Sequence, residues 1–281
     1  MQQETLLEQG HAGTSSVFYF DQYWWVPFMT VFVALLLSAY TYRKKPRCEN
    51  GKILRHDAAA RFSHWFNAAG ILILLYSGYQ LGFLDFGRKV WFTDGVRQMF
   101  NLHFIGAVLF LLGAVYWVGN TFLHPKRLEE HSPYKGSIKD AILHYLKLMG
   151  LPIKKGERPT GKYEASERLA FIPLTLLALF MGITGLIKLA AHVWHVPTGL
   201  LKLATFTHDW STLLLAVLLV FHIILAAVVP WAWPMLRSMI TGYMSVELLK
   251  SHHKGWYEEL KREGLCSEDE NDKKGEDNAN A

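Results

Sequence analysis

Five apolar runs, each long enough to cross a lipid bilayer, are the feature that most limits how this chain can fold. A helix needs about 20 apolar residues to span the hydrocarbon core, and 51% of the 281 residues are hydrophobic. The runs cover residues 24–42, 62–86, 100–123, 169–187 and 206–233. We therefore predict an all-α polytopic membrane protein, with a four-helix transmembrane bundle and one extra N-terminal transmembrane helix.

The lysines and arginines between the runs predict the direction in which each helix crosses. Cytoplasmic loops carry an excess of basic residues, so the stretch Arg43–Arg47 after the first run places the N-terminus outside. Ten basic residues between His124 and Arg168 place that loop inside, and the C-terminus follows it. These loops account for the sequence pI of about 9.0 without nucleic-acid binding. A signal peptide is the alternative for the first run, but the run has neither a basic segment before it nor a cleavage site after it.

Two histidines in the fifth run share one helix face. His208 and His222 are fourteen residues apart, so at 100° and 1.5 Å per residue they lie roughly 21 Å apart along the axis. A polar ring inside a membrane marks a functional site by default, and neutral imidazole binds metals and haem iron. The structural alternative is that each ring hydrogen-bonds to a neighbouring helix and stabilises the bundle.

Two other runs offer histidines at matching depths. With the topology assigned from basic residues alone, His64 lies near the inner end of the second run, level with His222. His103 lies near the outer end of the third run, level with His208. Opposed imidazoles at two depths are the ligand set for two six-coordinate b-type haems. The sequence contains no Cys-x-x-Cys-His motif, so covalent attachment of haem is not expected.

Small and basic residues near these histidines fit the haem interpretation, although each has a simpler explanation. Four glycines would let a flat macrocycle approach the backbone, and close helix packing explains them equally well; they are Gly70, Gly78, Gly106 and Gly113. Arg55 and Arg61 lie just outside His64 and are candidate partners of the haem propionates. Membrane topology alone also favours basic residues there.

Several short motifs follow one another along the chain. They are Arg61-Phe-Ser-His64-Trp65, Ser77-Gly78, Asn101-Leu-His103, Gly161-Lys-Tyr163, the pair His208 and His222, Met239-Ile-Thr-Gly242 and His252-His253-Lys-Gly-Trp256-Tyr257. None is specific alone. In this order and spacing, they make the chain resemble the di-haem cytochrome b (gamma) subunit of membrane-bound formate dehydrogenases, over about residues 55–262.

The resemblance implies how the chain is divided and what it does. Residues 1–54 would be the extra membrane helix with a basic linker, 55–262 the di-haem domain, and 263–281 a disordered cytoplasmic tail. His64 and His222 would hold the inner haem b, and His103 and His208 the outer one.

The resemblance also implies the partners of the chain and its place in the cell. An iron-sulfur subunit, served by a molybdenum or tungsten formate-oxidising subunit, would deliver electrons from the outer side, and quinone would accept them near the cytoplasmic face. The chain would be the electron-transfer and quinone-reactive subunit in the bacterial inner membrane, and not the formate-oxidising one.

The implied quinone site lies near the inner haem, at Lys162, Tyr163 and Glu164. The family pattern has asparagine after the tyrosine and a later Gln-Lys, whereas this chain has Glu164 and then Glu167 and Arg168. Glu164 is therefore a candidate proton donor to quinone, with a solvated acidic residue at a helix N-terminus as the alternative. The extra N-terminal helix is a second departure, and it either replaces an anchor helix of a partner subunit or binds one.

The remaining histidines and the cysteines are expected to have no role at the cofactors. We expect His56 at the surface, and the following histidines solvated or interfacial: His11, His124, His131 and His144. His192 and His195 are weak candidates for a metal site in an outer loop, and the sequence offers no physical explanation of His252 and His253. Cys48 and Cys266 are far apart and both assigned to the cytoplasm, so no disulfide is expected.

Other classes of protein fit parts of this pattern. The same fold would serve a hydrogenase, a thiosulfate reductase or a cytochrome c partner. A histidine-lined metal or proton transporter would place acidic residues at mid-membrane, where the five runs have none. A haem-free anchor for another subunit is the third class. The visible spectrum and the haem content of the purified protein distinguish these classes.

Overall fold

The computed structural model describes residues 17–41, 45–82, 96–148, 151–152 and 161–266. The predicted loose N-terminal segment 1–16, most of the outer connection 87–99, and the acidic tail beyond residue 266 lie outside the described residues. In chain order the elements are α1 (Tyr19–Gln22), α2 (Trp25–Tyr40), β1 (Cys48–Glu49), β2 (Lys52–Leu54), α3 (Ala58–Gly82), α4 (Val96–Phe122), α5 (Pro125–His131), α6 (Ser137–Leu148), α7 (Ala165–Ala190), α8 (Thr198–Ile223), α9 (Trp233–Thr241), β3 (Tyr243–Ser245), α10 (Val246–His252) and α11 (Lys254–Arg262). A π-helical turn, Ile224–Val228, continues α8, and a 3-10 turn, Pro230–Ala232, leads into α9.

Four of these helices are long and apolar enough to cross a membrane, namely α3, α4, α7 and α8 with its π-helical turn. Helix α2 is also apolar, but its 16 residues reach only about 24 Å at 1.5 Å per residue. The predicted four-helix bundle with an additional N-terminal helix is therefore confirmed. The additional helix is shorter than the apolar run 24–42 that predicted it.

The bundle consists of two helical hairpins. Helix α3 packs along α4, and α7 packs along α8. Side chains from all four helices meet in one apolar core, made of Leu74, Phe110, Leu111, Ala114, Leu177, Met181 and Leu215. Most other large apolar side chains of α8 point away from the protein, for example Val220 and Phe221, which are 57% and 59% exposed. Such outward apolar faces suit contact with lipid.

Helix α2 packs against α4 through small residues. A Cβ atom added to Gly119 would lie 2.5 Å from the Oγ atom of Ser38, so the two helices touch at a point where no larger side chain fits. Small residues allow this close approach between membrane helices. The N-terminal helix is thus seated on one specific face of the bundle.

A small three-stranded antiparallel sheet, which the all-α prediction did not include, lies at the end of the bundle where α3 begins. The strand order is β1-β2-β3. Asn50 and Gly51 connect β1 to β2 with φ angles of 52° and 71°, and two positive φ angles are what a type I′ hairpin turn needs. The sheet packs with α10 and α11 around Ile53, Leu249 and Trp256. We call this unit of β1–β3, α10 and α11 the cap.

The expectation that the cysteines stay apart is wrong. Cys48 and Cys266 are joined as a disulfide, with their Cα atoms 5.0 Å apart across a sequence separation of 218 residues. The reason lies in the cap, where the backbone N–H of Cys48 donates to the carbonyl of Leu265 at 2.9 Å. Strand β1 therefore runs beside the segment that follows α11, and the two cysteines meet.

Candidate functional site

The two histidines predicted for the inner side lie together, on α3 and α8. The ring centroids of His64 and His222 are 6.2 Å apart. Two imidazoles that bind one metal ion from opposite sides, with metal–nitrogen bonds of about 2 Å, have centroids roughly 6 Å apart. The spacing across the gap between the two hairpins therefore fits an iron atom between these rings.

The outer histidine of α4 is held in one orientation by a hydroxyl group on α3. Ser77 Oγ donates to the carbonyl of Ile73 at 2.7 Å, so its single proton is already used. His103 Nδ1 lies 2.9 Å from the same oxygen and must act as the donor. The other ring nitrogen, Nε2, is then deprotonated and has its lone pair available for a metal. Metal-binding histidines are commonly oriented in this way, by a hydrogen bond from the ring nitrogen that does not bind the metal.

The outer histidine of α8 has the same environment. Thr184 Oγ1 on α7 donates to the carbonyl of Phe180, and His208 Nδ1 lies 2.9 Å from that Oγ1 atom. His208 therefore also presents a deprotonated Nε2 atom. His103 and His208 each pack against a hydroxyl group of the preceding helix of their own hairpin, and a charge on His208 would act on His103.

A glycine follows each of these hydroxyl residues. Cβ atoms added to Gly78 and Gly185 would lie 3.5 Å and 3.6 Å from the Cε1 atoms of His103 and His208. The two hairpins thus repeat one arrangement, a hydroxyl–glycine pair that packs against a histidine of the following helix. Sequence reasoning found Ser77-Gly78 but missed Thr184-Gly185. A hydroxyl residue followed by glycine lies 26 residues before His103 and 24 residues before His208. This repeat in the sequence would have identified Thr184-Gly185.

The two arginines expected near the inner haem have different environments. Arg61 Nη1 donates to the carbonyl of Ile240 at 2.9 Å, and its buried Nε has no partner among the described residues. Arg55 is 2% exposed, and its Nη2 atom bonds both carboxylate oxygens of Glu167 at 3.1 Å. The Nε atom of Arg61 can therefore donate a further hydrogen bond near His64, whereas Nη2 of Arg55 is paired with Glu167.

The predicted quinone motif lies where the cap meets the bundle. Lys162 Nζ is 3.2 Å from Glu130 Oε2. The ring of Tyr163 packs against that of His131, with centroids 4.4 Å apart. Burial, together with Glu130, raises the pKa of the Tyr163 phenol, so the phenol stays a neutral hydrogen-bond donor at physiological pH.

Glu164 is the N-cap residue of α7. Its backbone N–H donates to Glu167 Oε2 at 2.8 Å, as part of a capping box, and its own Oε2 atom lies 3.3 Å from His144 Nε2. These contacts are those of a residue that caps the N-terminus of a helix.

An apolar cavity of about 570 Å³ lies beside the motif, between α6 and the start of α7. Its lining includes Tyr134, Ile138, Ile142, Leu143 and Leu169. The guanidinium carbon of Arg168 lies 5.7 Å from the ring centroid of Tyr134, and Arg168 Nε donates to the carbonyl of Tyr163 at 3.3 Å. A mainly apolar cavity next to polar groups is the usual form of a small-molecule site.

The prediction that His56 lies at the surface is wrong. Its side chain is 4% exposed, and its Nδ1 atom is 3.1 Å from Ser238 Oγ on α9. Burial, with Arg55 and Lys162 nearby, lowers its pKa to about 2, so it remains neutral. His192 pairs with Asp21 at 3.4 Å. Among the described residues no group of three or more His, Cys, Asp or Glu side chains has the arrangement of a metal site.

His253, for which the sequence offered no explanation, is fully buried under the motif. It is 0% exposed, and its Nδ1 atom lies 2.9 Å from the carbonyl oxygen of Gly161. Trp256, from the same motif, lies 5.8 Å from Lys162 Nζ, measured to the ring centroid. The His-His-Lys-Gly-Trp-Tyr segment is therefore the part of the cap that contacts Gly161-Lys-Tyr163.

Comparison with known proteins is consistent with this geometry. The family model described as prokaryotic cytochrome b561 matches residues 55–242. A formate dehydrogenase cytochrome b556 subunit of Haemophilus influenzae is 26% identical over 221 residues, covering 74% of this chain and 83% of that protein. The formate dehydrogenase cytochrome b556(fdo) subunit of Escherichia coli is 24% identical, covering 75% and 94%. The nitrate-inducible cytochrome b556(Fdn) subunit of the same organism is 22% identical, covering 78% and 96%. These relatives confirm the resemblance drawn from the motifs.

Proposed function

The chain belongs to the prokaryotic cytochrome b561 family, and on that premise we propose that it is the di-haem membrane subunit of a formate dehydrogenase-type complex that passes electrons to quinone. The observation that carries the proposal is the proximity of the His64 and His222 rings, 6.2 Å apart across the two hairpins, and it is supported by the hydroxyl partners of His103 and His208. The names of the relatives support formate dehydrogenase as the complex.

In this proposal the four histidines would hold two b haems. His64 and His222 would hold the inner haem, and His103 and His208 the outer one. Bound haem supplies one-electron transfer, at a potential set by its ligands, hydrogen bonds and burial. Ser77 and Thr184 accept hydrogen bonds from the outer ligands, which fixes the tautomer and raises the basicity of each ligand nitrogen.

Other residues of the chain would accommodate the flat macrocycles and their charged groups. Gly78 and Gly185 leave space beside the outer imidazoles. Arg61 is the candidate partner of an inner propionate, because its Nε is buried without a partner among the described residues and a carboxylate is the strongest acceptor for a guanidinium group.

The proposed orientation follows from the basic residues. The N-terminus is outside, and the cap and C-terminus are in the cytoplasm of a bacterium whose inner membrane the chain spans. Electrons then enter at the outer pair, from an iron-sulfur subunit joined to a molybdenum or tungsten formate-oxidising subunit. Because cytoplasmic thiols are normally kept reduced, we expect Cys48 and Cys266 to close a disulfide there only under oxidising conditions.

Quinone would bind near the inner pair, at Lys162, Tyr163 and Glu164. A Tyr163 phenol that stays protonated and the Lys162 ammonium group can donate hydrogen bonds to quinone oxygens. The apolar cavity beside Arg168 and Tyr134 suits a hydrophobic quinone tail. This chain would then supply the site at which quinone takes up electrons and protons, while formate is oxidised in another subunit of the complex.

Haem content is the direct test of the proposal. We expect purified protein to hold two b haems per chain, both low-spin with two histidine ligands, since each pair can bind one iron. A pyridine haemochrome assay with quantitative amino-acid analysis measures the ratio. The visible spectrum checks the b type, and the reduced protein should transfer electrons to a short-chain quinone. One haem per chain, or none, contradicts the proposal and favours a transporter or an anchor.

Glu164 offers a second test within the quinone motif. Because its contacts are those of a helix cap, we expect Glu164→Gln to leave the rate of haem reoxidation by quinone within about twofold and to cost at most roughly 1 kcal/mol of stability. Stopped-flow mixing of the prereduced variant with a quinone analogue at pH 5–9 measures this rate. A loss of 10²–10⁴-fold, the range of a general acid, would instead assign the proton donor to Glu164.

A further inference from the structure

The side chain of His253 has one nitrogen that the fold leaves unused. Because the carbonyl of Gly161 can only accept, His253 Nδ1 must be the donor in their 2.9 Å contact. In the neutral ring, Nε2 is then an acceptor, and it is buried without a hydrogen-bond partner among the described residues. Leaving a buried acceptor unpaired costs about 1–3 kcal/mol, so an unpaired group of this kind calls for a functional explanation.

A charged cluster at the quinone motif surrounds His253. The charges that act on His253 come from Arg55, before α3, from Glu167 on α7, and from His252 on its own segment. Arg55 also has an unused group, because its Nε is buried without a partner among the described residues. The same guanidinium group donates to the carbonyl of Lys162 at 3.3 Å. Next to the backbone of the motif, His253 Nε2 is therefore a hydrogen-bond acceptor and Arg55 Nε a hydrogen-bond donor, and neither has a partner among the described residues.

A route from water to this cluster begins at the preceding residue. His252 ends α10 and is exposed, whereas His253 is 0% exposed. Two adjacent imidazoles, one exposed to solvent and one buried beside the motif, form a short series of groups that can each carry a proton. No such role follows for Glu164, whose carboxylate is engaged at the helix cap and with His144.

We propose that His253 is a proton-relay residue of the quinone site, taking protons from the aqueous phase at the cap and delivering them to quinone at Gly161–Glu164. This inference rests on the proposed function. Reduction of one quinone consumes two electrons and two protons. In each proton transfer the neutral His253 ring first takes up a proton at Nε2 from solvent, through His252. The Nε2–H bond then breaks as an O–H bond forms on the reduced quinone, directly or through one water molecule, and the ring is neutral again.

The burial of His253 couples this transfer to reduction. Burial and the charge of Arg55 lower the pKa of His253 to about 4, so the ring is neutral at pH 7. Negative charge on a reduced quinone oxygen raises the pKa of a nearby imidazole, and the ring then takes up a proton only when there is an acceptor for it. A proton is thus not held in the cap before electrons arrive.

The test compares His253→Asn, which can keep the contact with Gly161, with His253→Gly, which removes it. In His253→Asn the amide nitrogen can take the place of Nδ1 and donate to Gly161, but the side chain cannot transfer a proton. We expect both haems to be retained and the rate of reoxidation by short-chain benzoquinone or naphthoquinone to fall at least tenfold, since general acid–base groups contribute about 10²–10⁴-fold. The loss should grow as the pH rises from 6 to 9, because free protons become scarce. Added imidazole should restore the rate of His253→Gly.

The outcomes of this comparison separate the relay from the proposed function, and one further measurement covers variants that do not fold. If wild-type protein binds two haems and reduces quinone, but His253→Asn does so at the same rate and with the same pH profile, the relay is wrong while the proposed function stands. If wild-type protein reduces no quinone, the proposed function fails first. Should the variants not fold, the infrared difference spectrum of wild-type protein with bound quinone, with histidine ring nitrogens labelled by ¹⁵N, decides the question. Reduction must then shift a ring band of a histidine that is not a haem ligand, and the absence of a shift overturns the relay.

Discussion

Replacement of His103 or His208 by alanine should remove one and the same haem, and replacement of His64 or His222 should remove the other. A six-coordinate haem loses most of its binding energy with either ligand, and the two histidine pairs lie at opposite ends of the bundle. Each variant should therefore retain a single haem and a single redox potential. Reduced-minus-oxidised spectra and redox titration of the four purified variants measure this. Electron transfer to quinone should be abolished in all four, because the chain of carriers is interrupted.

His195→Ala is the matched control for these variants. His195 is exposed in the connection between α7 and α8, so both haems and both potentials should remain. The critical comparison is between His103→Ala and His222→Ala. If these two variants lost a common haem, the pairing of ligands would be wrong, even though His64 and His222 lie 6.2 Å apart.

Gly70→Ala should separate the two helices of the first hairpin. A Cβ atom at Gly70 would lie 2.6 Å from the backbone nitrogen of Phe110 and 2.9 Å from its Cα atom, and backbone cannot move aside as a side chain can. Overpacking of this kind costs about 1–3 kcal/mol, occasionally more. Since His64 lies less than two turns away on the same helix, we also expect the inner haem to dissociate more readily. Thermal unfolding and haem retention on heating measure both effects.

Gly182→Ala is the control for this substitution. Its Cβ atom would meet Leu111 Cδ2 at 3.6 Å, which is an ordinary contact, and alanine is about 1 kcal/mol better than glycine within a helix. This variant should be as stable as the wild type or more so. Equal stability and equal haem retention for Gly70→Ala and Gly182→Ala would show that α3 and α4 do not approach as closely as described.

The membrane helices and the pairing of the histidines were accessible from sequence because both depend on local rules. A run of about 20 apolar residues predicts a spanning helix without knowledge of its neighbours. The helical repeat then places His208 and His222 on one face, and the basic loops order the other histidines by depth. The structure confirms the bundle, and it places the rings of His64 and His222 6.2 Å apart. The ends of the helices differ from the predicted runs because polar first turns, such as Ala165–Arg168, are also helical.

By itself, therefore, the sequence determined an all-helical membrane bundle and the four histidines at its two ends. Only the tertiary structure decided how the cap closes the end of the bundle at which α3 begins. The burial of His56 depends on Ser238, 182 residues away, that of His253 on Gly161, 92 residues away, and the disulfide joins cysteines 218 residues apart. No periodic pattern links such distant positions, because each contact arises from two segments that are ordered separately and meet only when the bundle has formed.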